Sequence, residues 1–172
     1  LERDLSTESH VIAANEGNAV GLAAGYHMAT GGIPLVYMQN SGIGNAVNPL
    51  LSLTHTQVYS IPMVLLIGWR GDPAASDHVH HRKQGEATPG LLELMDIPFR
   101  ILVGDESQDM EAATWAVETA GVQASPVALL AKKGVLAKAE KETAEPEGSP
   151  YSLTRERAIG CVLDQIPANA LC

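Results

Sequence analysis

The residues that offer the most chemistry lie between positions 15 and 53, where one carboxylate precedes a long run of small and apolar residues. Glu16 stands at the start of this run, which is rich in alanine with glycines interleaved, and a second glycine-rich turn follows at residues 40–45. A carboxylate held against apolar packing is costly to ionise, so we expect the pKa of Glu16 to be raised. Such a group exchanges protons or hydrogen-bonds a ring nitrogen near neutral pH. The arrangement indicates a cofactor site.

Each of these two features also has a simpler interpretation. An acid in the first turn of a helix complements the helix dipole without any ligand, and Glu16 has that position in the predicted helix. The turn at residues 40–45 is, taken alone, an ordinary connection between a strand and a helix. Its position after an apolar strand favours a ligand, because open α/β sheets bind ligands at the carboxyl ends of their strands. Glycines there let the backbone approach a flat molecule closely.

A second polar region, residues 68–85, is predicted to be a loop that contains cations and three histidines. Arg70, Arg82 and Lys83 offer hydrogen-bond donors to an anionic substrate. His81 titrates near neutral pH and is a candidate proton donor or orienting group. Two alternatives stay open. The histidines are also candidates for a zinc site, although their spacing fits no complete ligand set and no cysteine is near. The region is otherwise a solvated loop.

Helical and strand patterns alternate along the chain, which predicts an α/β fold with a mostly parallel sheet and helices on both faces. In the helix predicted at residues 46–56 we expect Pro49 in the first turn, where proline is tolerated. The helix predicted at residues 108–120 carries a stripe formed by Met110, Ala113, Val117 and Ala120. The predicted helices are residues 16–30, 46–56, 87–95 and 108–120, and the predicted strands are residues 33–38, 61–67, 99–103 and 126–131.

Composition limits the classes of partner. The chain has 172 residues, of which 45% are hydrophobic, and a formal net charge of −9. Such an acidic chain is not expected to bind nucleic acid or an anionic membrane. Its two cysteines suggest no disulfide framework, and neither a membrane-spanning run nor a signal-peptide pattern is evident. We therefore expect a cytoplasmic protein.

The character of the sequence changes after residue 133. Residues 134–153 read as an exposed linker, rich in Ala, Glu, Lys, Gly and Pro. Residues 154–172 begin with a capping-box-like segment and an apolar stripe, so we expect the start of a second domain there. The sequence thus predicts a first domain at residues 1–133 and a truncated second one, in a fragment or in half of a two-chain enzyme.

Three segments carry a specific resemblance, namely ANEGNAVGLAAGYHMATGGIPLVYMQNSGIGNAVNPLLSL (residues 14–53), VYSIPMVLLIGWRGDP (residues 58–73) and HRKQG (residues 81–85). In these the sequence resembles the pyrimidine-binding domain of thiamine-diphosphate-dependent 2-oxo-acid decarboxylases. Within that group it is most similar to enzymes acting on phosphonopyruvate and to the alpha chains of those acting on sulfopyruvate. The family's first strand with its Gly-Val-Pro-Asp-Ser-like loop is not found, nor is the Gly-Asp-Gly motif of the partner domain. Both absences predict that the chain is inactive alone.

The resemblance implies roles for individual residues on the cofactor side. Glu16 is implied to be catalytic, because the family's glutamate hydrogen-bonds the pyrimidine nitrogen of thiamine diphosphate and favours its imino tautomer. Gly42 and its neighbours are implied to line the pyrimidine. Asn40 and Asn45 are implied to help shape that pocket.

On the substrate side, the resemblance places His81, Lys83 and Gln84 on the family's His-X-Lys-Gln-Gly pattern. We therefore expect His81 to be the second catalytic residue and Lys83 and Gln84 to bind the substrate, together with Arg70, whose guanidinium suits an anionic ligand. No metal ligand is expected in this chain, since Mg²⁺ is implied to bind through the partner domain together with the cofactor's diphosphate.

The activity implied is decarboxylation of phosphonopyruvate to phosphonoacetaldehyde and CO₂. The implied partners are a small anionic 2-oxo acid and a diphosphate-binding domain or subunit, in an oligomer that is at least a dimer. One alternative keeps the cofactor and changes the substrate to sulfopyruvate or another 2-oxo acid. Another alternative is a non-catalytic α/β module for ligand binding or assembly.

Overall fold

The computed structural model describes residues 10–136 and residue 157. Four helices and four strands alternate in the first of these ranges, with a 3₁₀ helix Asn40–Gly42 before α2 and a π-helical segment Leu50–Thr54 after it. The helices are α1 Glu16–Thr30, α2 Ile43–Pro49, α3 Val79–Leu94 and α4 Glu106–Gln123, and the strands are β1 Leu35–Gln39, β2 Met63–Gly68, β3 Phe99–Leu102 and β4 Pro126–Ala131.

The four strands form one all-parallel sheet in the order β1-β2-β4-β3. Alternate residues of a strand point to opposite faces, and both faces of this sheet are covered. On one face, α1, α2 and α3 pack against residues such as Leu65 and Ile67, while α4 packs on the other against residues such as Val127. The predicted α/β class with helices on both faces is confirmed.

Local signals explain the best-predicted elements. The limits of α1 agree with the prediction, because the Asn15 side chain accepts a hydrogen bond from the Asn18 amide at 2.9 Å and caps the helix. At the other end Gly31 has a φ of 73° and closes it. All six residues of β4 are buried, as expected for a central parallel strand with an apolar sequence.

Two predicted boundaries are wrong at the places that matter for function. Residues 40–45 are not a simple turn, since they form the 3₁₀ helix and the first residues of α2. Pro49 therefore lies at the end of α2, immediately before the π-helical segment, rather than in a first turn. The predicted loop at residues 68–85 is also too long, because α3 already begins at Val79. The first turns of α3 are polar and lack the apolar periodicity that marks a helix in a sequence.

The buried stripe of α4 is rotated about the helix axis by roughly 80° from the predicted one, at 3.6 residues per turn. Ala112, Ala116 and Ala120 face the sheet and are buried, whereas Met110 is 65% exposed and Val117 is 50% exposed. Alanine at every fourth position lets a helix approach a sheet closely, so the smaller residues, not the larger ones, occupy the contact.

All these elements belong to one compact unit that ends at residue 137. Most of the predicted linker and the predicted helix of a second domain lie outside the described residues. Within the described part of the chain, no helix has the length and apolar character needed to cross a bilayer.

Candidate active site

The predicted site residues gather around the carboxyl ends of β1 and β2. Asn40 follows β1 directly and Arg70 lies two residues beyond β2. Glu16 begins α1, whose first turn packs beside the first turn of α2. Because the strands are parallel, these segments come to the same edge of the sheet, where α/β folds bind ligands.

Glu16, Gly42 and Asn45 form a first cluster. The Asn45 side chain donates a hydrogen bond from Nδ2 to Glu16 Oε2 at 2.8 Å. Gly42 is buried directly against the Glu16 side chain, and a Cβ atom at this position would overlap the Glu16 carboxylate. Residue 42 must therefore be glycine for Glu16 to keep this position. Three of the four residues predicted to bind cofactor are thus brought together.

The pKa of Glu16 is lowered from its ordinary value, so the predicted increase is wrong. The main cause is the hydrogen bond from the Asn45 side chain, followed by one from the Glu16 backbone amide, and both favour the ionised form. Burial acts in the opposite direction but is weaker, because the side chain is only partly covered. Glu16 is therefore an ionised carboxylate at neutral pH, and its oxygens accept hydrogen bonds.

Asn40, the fourth predicted cofactor residue, is 2% exposed and has its side chain turned into the protein. Its Nδ2 donates to the Arg70 carbonyl at 2.8 Å and to Thr88 Oγ1 at 3.0 Å, while its Oδ1 accepts from the Arg70 amide at 3.1 Å. Asn40 therefore joins the end of β1 to the end of β2 and to α3. Asn40 is the first residue of the 3₁₀ helix that contains Gly42, so these hydrogen bonds hold that helix against the end of β2 and against α3.

Arg70 makes a bidentate ion pair with Asp77. Its Nε and Nη2 donate to the two carboxylate oxygens at 2.8 and 2.7 Å. The pair lowers the pKa of Asp77 far below its usual range and raises the pKa of Arg70, in each case mainly through the hydrogen bonds between them. Arg70 is thus not a free guanidinium in this arrangement, and Asp77 is a residue that sequence reasoning missed.

His81 lies in the first turn of α3 with two other histidines close by. The His80 and His81 ring centroids are 4.7 Å apart, and the His78 and His80 rings stack at 5.5 Å. Burial lowers the pKa of His81, and the positive charge of Arg70 adds to this effect. Among the described residues, no group of three or more His, Cys, Asp or Glu is arranged to hold a metal ion.

The helical form of α3 separates the residues of the His-X-Lys-Gln pattern. His81 and Gln84 are three residues apart and share the partly covered face, which continues to the buried Thr88. Lys83 lies on the opposite face, where its side chain is 90% exposed and its Nζ is 3.2 Å from Glu86 Oε2. The structure therefore brings His81 and Gln84 together but not Lys83.

A further ion pair, which the sequence did not reveal, fastens the ends of β2 and β4. Asp72 is only 7% exposed, and its Oδ2 lies 3.5 Å from Lys132 Nζ. The same ammonium is 6.0 Å from the centroid of the Trp69 ring. These contacts join residues far apart in the chain, so no local pattern predicts them.

The site thus consists of a Glu16 cluster and an Arg70–Asp77–His81 cluster, which Asn40 connects. The position of these clusters, at the carboxyl edge of a parallel sheet, is typical of α/β domains that bind a ligand or cofactor. Residues 3–89 match the family described as thiamine pyrophosphate enzyme, N-terminal TPP binding domain. The chain belongs to this family, which confirms the resemblance predicted from the sequence.

Individual relatives agree with this assignment. The chain is 31% identical over 147 residues to phosphonopyruvate decarboxylase of Streptomyces viridochromogenes. The aligned region covers 85% of this chain and 36% of that protein. It is 40% identical over 91 residues to sulfopyruvate decarboxylase subunit alpha of Methanothermobacter thermautotrophicus, with 53% of each chain covered. The chain thus spans 36% of the length of the first relative and 53% of the second.

Proposed function

We propose that this chain supplies the pyrimidine side of a thiamine-diphosphate-dependent decarboxylase that converts phosphonopyruvate to phosphonoacetaldehyde and CO₂. The observation that carries the proposal is the Glu16–Gly42–Asn45 cluster at the carboxyl edge of the sheet, in a domain of the thiamine pyrophosphate enzyme family. The similarity to phosphonopyruvate decarboxylase over most of this chain supports the choice of substrate.

The residues present fit the pyrimidine ring of the cofactor. Glu16 is partly exposed and its lowered pKa keeps it ionised at neutral pH, so its carboxylate accepts a hydrogen bond from a ring N–H group. Asn45 orients that carboxylate, and Gly42 leaves the space beside it free of a side chain. Thiamine diphosphate, when bound, supplies the electron sink that decarboxylation of a 2-oxo acid requires.

On the substrate side we assign His81 as the second catalytic residue, which donates a proton or orients the substrate. Its lowered pKa favours the neutral ring at pH 7, and the nearby Arg70 contributes to that preference. Gln84 lies on the same face of α3 and is proposed to bind the substrate. Lys83 is proposed to attract the anionic substrate from the exposed face of α3, whereas a direct contact by Arg70 requires its ion pair with Asp77 to open.

We further propose that the active form contains a diphosphate-binding domain or subunit that holds Mg²⁺ and the cofactor's diphosphate, in an assembly that is at least dimeric. The relatives named as alpha subunits support a divided enzyme. The two cysteines of the acidic chain suggest no disulfide framework, which supports a cytoplasmic setting.

A second candidate keeps this chemistry and changes the substrate to sulfopyruvate. It is favoured by the 40% identity to a sulfopyruvate decarboxylase alpha subunit over 91 residues, a higher value than that for the phosphonopyruvate enzymes. Phosphonate and sulfonate are both tetrahedral anions, so the same cationic and amide groups serve either one.

The test is a decarboxylation assay with the chain, a diphosphate-binding partner, thiamine diphosphate and Mg²⁺, in which phosphonopyruvate, sulfopyruvate and pyruvate are compared. Cofactor-dependent formation of phosphonoacetaldehyde, fastest with phosphonopyruvate, supports the first candidate. Preference for sulfopyruvate moves the assignment to the second. If the assembled protein binds cofactor but turns over no 2-oxo acid, the chain is a non-catalytic module of the same fold and the proposal is refuted.

A further inference from the structure

The side chain of Asp77 accepts hydrogen bonds from backbone amides as well as from its ion-pair partner Arg70. Its carboxylate receives two hydrogen bonds from Arg70 and one each from the backbone amides of Gly71 and His78, at distances between 2.7 and 3.0 Å. Although it lies in a polar loop, its side chain is only 8% exposed. One carboxylate thus holds both ends of the segment that runs from β2 to α3.

The same segment is packed against α3 without room for adjustment. A Cβ atom on Gly71 would overlap the His81 carbonyl, and a Cβ atom on Gly85 would overlap the Gly71 carbonyl. Trp69 Nε1 also donates to the Gly85 carbonyl at 2.9 Å. Because backbone meets backbone at these points, a displacement of the loop must displace the first turns of α3, which contain His81.

We propose that Asp77 is a positioning residue of the active site, which holds the loop around Arg70 and thereby fixes the location of His81. The proposal rests on the proposed function, since it concerns the same site. It also gives Arg70 a different role from the one predicted from the sequence. Arg70 acts through Asp77 as the second half of a clamp, rather than as a direct ligand of the substrate.

The charges around His81 make this role measurable. Arg70, His78 and His80 disfavour a positive charge on the His81 ring. Asp77 favours that charge. Loss of the Asp77 charge should therefore lower the pKa of His81 further. Loss of the Arg70 charge should raise it. These shifts show that both charges act on the His81 ring, and the kinetic comparison shows whether the loop positions that ring.

The experiment compares Asp77→Asn, Arg70→Gln and Arg70→Lys with the matched control Asp109→Asn. The Asp109 carboxylate also accepts hydrogen bonds from two backbone amides, those of Val103 and Gly104 at 2.8 and 2.9 Å, but it lies in the first turn of α4 and is not hydrogen-bonded to Arg70. Histidine ring signals are titrated by NMR in the full chain, with His81→Gln to assign the resonance. Steady-state kinetics are measured with the diphosphate-binding partner present.

We expect opposite shifts of the His81 pKa in Asp77→Asn and Arg70→Gln, and no shift in Asp109→Asn. We expect kcat to fall about 100-fold in Asp77→Asn, as for other small misplacements of catalytic groups, with KM little changed. Arg70→Lys keeps the charge but loses the bidentate geometry, so it should also lower kcat. A rise in KM alone in Arg70→Lys would identify Arg70 as a substrate ligand and overturn the proposal.

The outcomes separate this proposal from the proposed function. If the wild-type protein turns over no 2-oxo acid, the proposed function fails, but the NMR comparison still tests whether Asp77 controls His81. Identical His81 titration curves in the wild type, Asp77→Asn and Asp109→Asn would overturn the positioning role even in an active enzyme. Should Asp77→Asn not fold, Arg70→Gln and Arg70→Lys carry the same test from the other side of the ion pair.

Discussion

The side chain of Asn45 donates a 2.8 Å hydrogen bond to the carboxylate of Glu16, across 29 positions in the sequence. This contact is the largest cause of the lowered pKa of Glu16, the residue that we place at the centre of the cofactor site. A carboxylate in an apolar setting would be protonated more readily, whereas Glu16 receives a donor that stabilises its charge. Glu16 is therefore prepared to accept a hydrogen bond from a ligand.

Replacement of Asn45 by alanine should raise the pKa of Glu16, because the largest cause of its lowered value is removed. The carboxyl carbon of Glu16 can be followed by ¹³C NMR as the pH is varied from 2 to about 7, a range that spans the usual titration of Glu. Asn48→Ala is a suitable control, since Asn48 lies in the same helix and contacts Ser52 instead of Glu16. An unchanged Glu16 titration in Asn45→Ala would show that the hydrogen bond does not control its charge.

Replacement of Glu16 by glutamine should remove most turnover and leave the fold intact. Glutamine has the same shape but no charge, and loss of a group that acts on protons in the reaction lowers rates by about 100-fold or more. Steady-state kinetics with the diphosphate-binding partner measure the first effect, and circular dichroism with thermal unfolding measures the second. Wild-type rates in Glu16→Gln would refute the catalytic role and favour a residue that only complements the dipole of α1.

The comparison of sequence and structure shows which features local patterns can predict. The limits of α1 were predictable because a cap, a proline-free alanine-rich run and a glycine stop lie within the segment itself. The apolar run of β4 identified it as a central strand for the same reason. The long motif around Glu16 was sufficient to indicate the family.

Other features depend on contacts between distant residues, which no local pattern contains. The first turns of α3 are polar, and they are held in place where Gly85 crosses Gly71. Asp77 acquires its role only when the loop folds back and brings it to Arg70. The lowered pKa of Glu16 depends likewise on Asn45, so burial alone predicted the wrong direction.

Replacement of Gly42 by alanine should disturb Glu16 directly, because the added Cβ atom would overlap its side chain. We expect a loss of about 1–3 kcal/mol in the free energy of unfolding, as for other overpacked sites, together with weaker cofactor binding. Chemical denaturation and titration with thiamine diphosphate measure the two effects.

Gly44→Ala is the matched control for this substitution. A Cβ atom at Gly44 would meet no other atom within 4 Å, and alanine favours the helical conformation of α2. Its stability should therefore be unchanged or slightly higher. Equal effects of the two substitutions would contradict the close packing of Gly42 against Glu16.

The ion pair between Arg70 and Asp77 should make stability depend on pH in the acidic range. The pKa of Asp77 is far below its usual range in the folded protein, so its contribution is fully present above the unfolded value of about 3.9. That contribution is lost as the pH falls below this value toward the folded pKa. Urea unfolding of the wild type and Asp77→Asn at several pH values should show a constant difference near neutrality that narrows below about pH 4. A difference that stays constant down to pH 2 would exclude the ion pair as its source.

Replacement of Asn40 by alanine should lower the free energy of unfolding and have little direct effect on cofactor binding. Asn40 is buried, and its removal leaves the amide and carbonyl of Arg70 without these partners, at about 1–3 kcal/mol for each unsatisfied group. The exposed Asn48→Ala should change the free energy of unfolding by less than about 0.5 kcal/mol. If Asn40 instead contacts the cofactor directly, its replacement should weaken thiamine diphosphate binding and leave the free energy of unfolding close to that of the wild type. Denaturation and cofactor titration of the same variant therefore distinguish a residue that supports the site from one that binds the ligand.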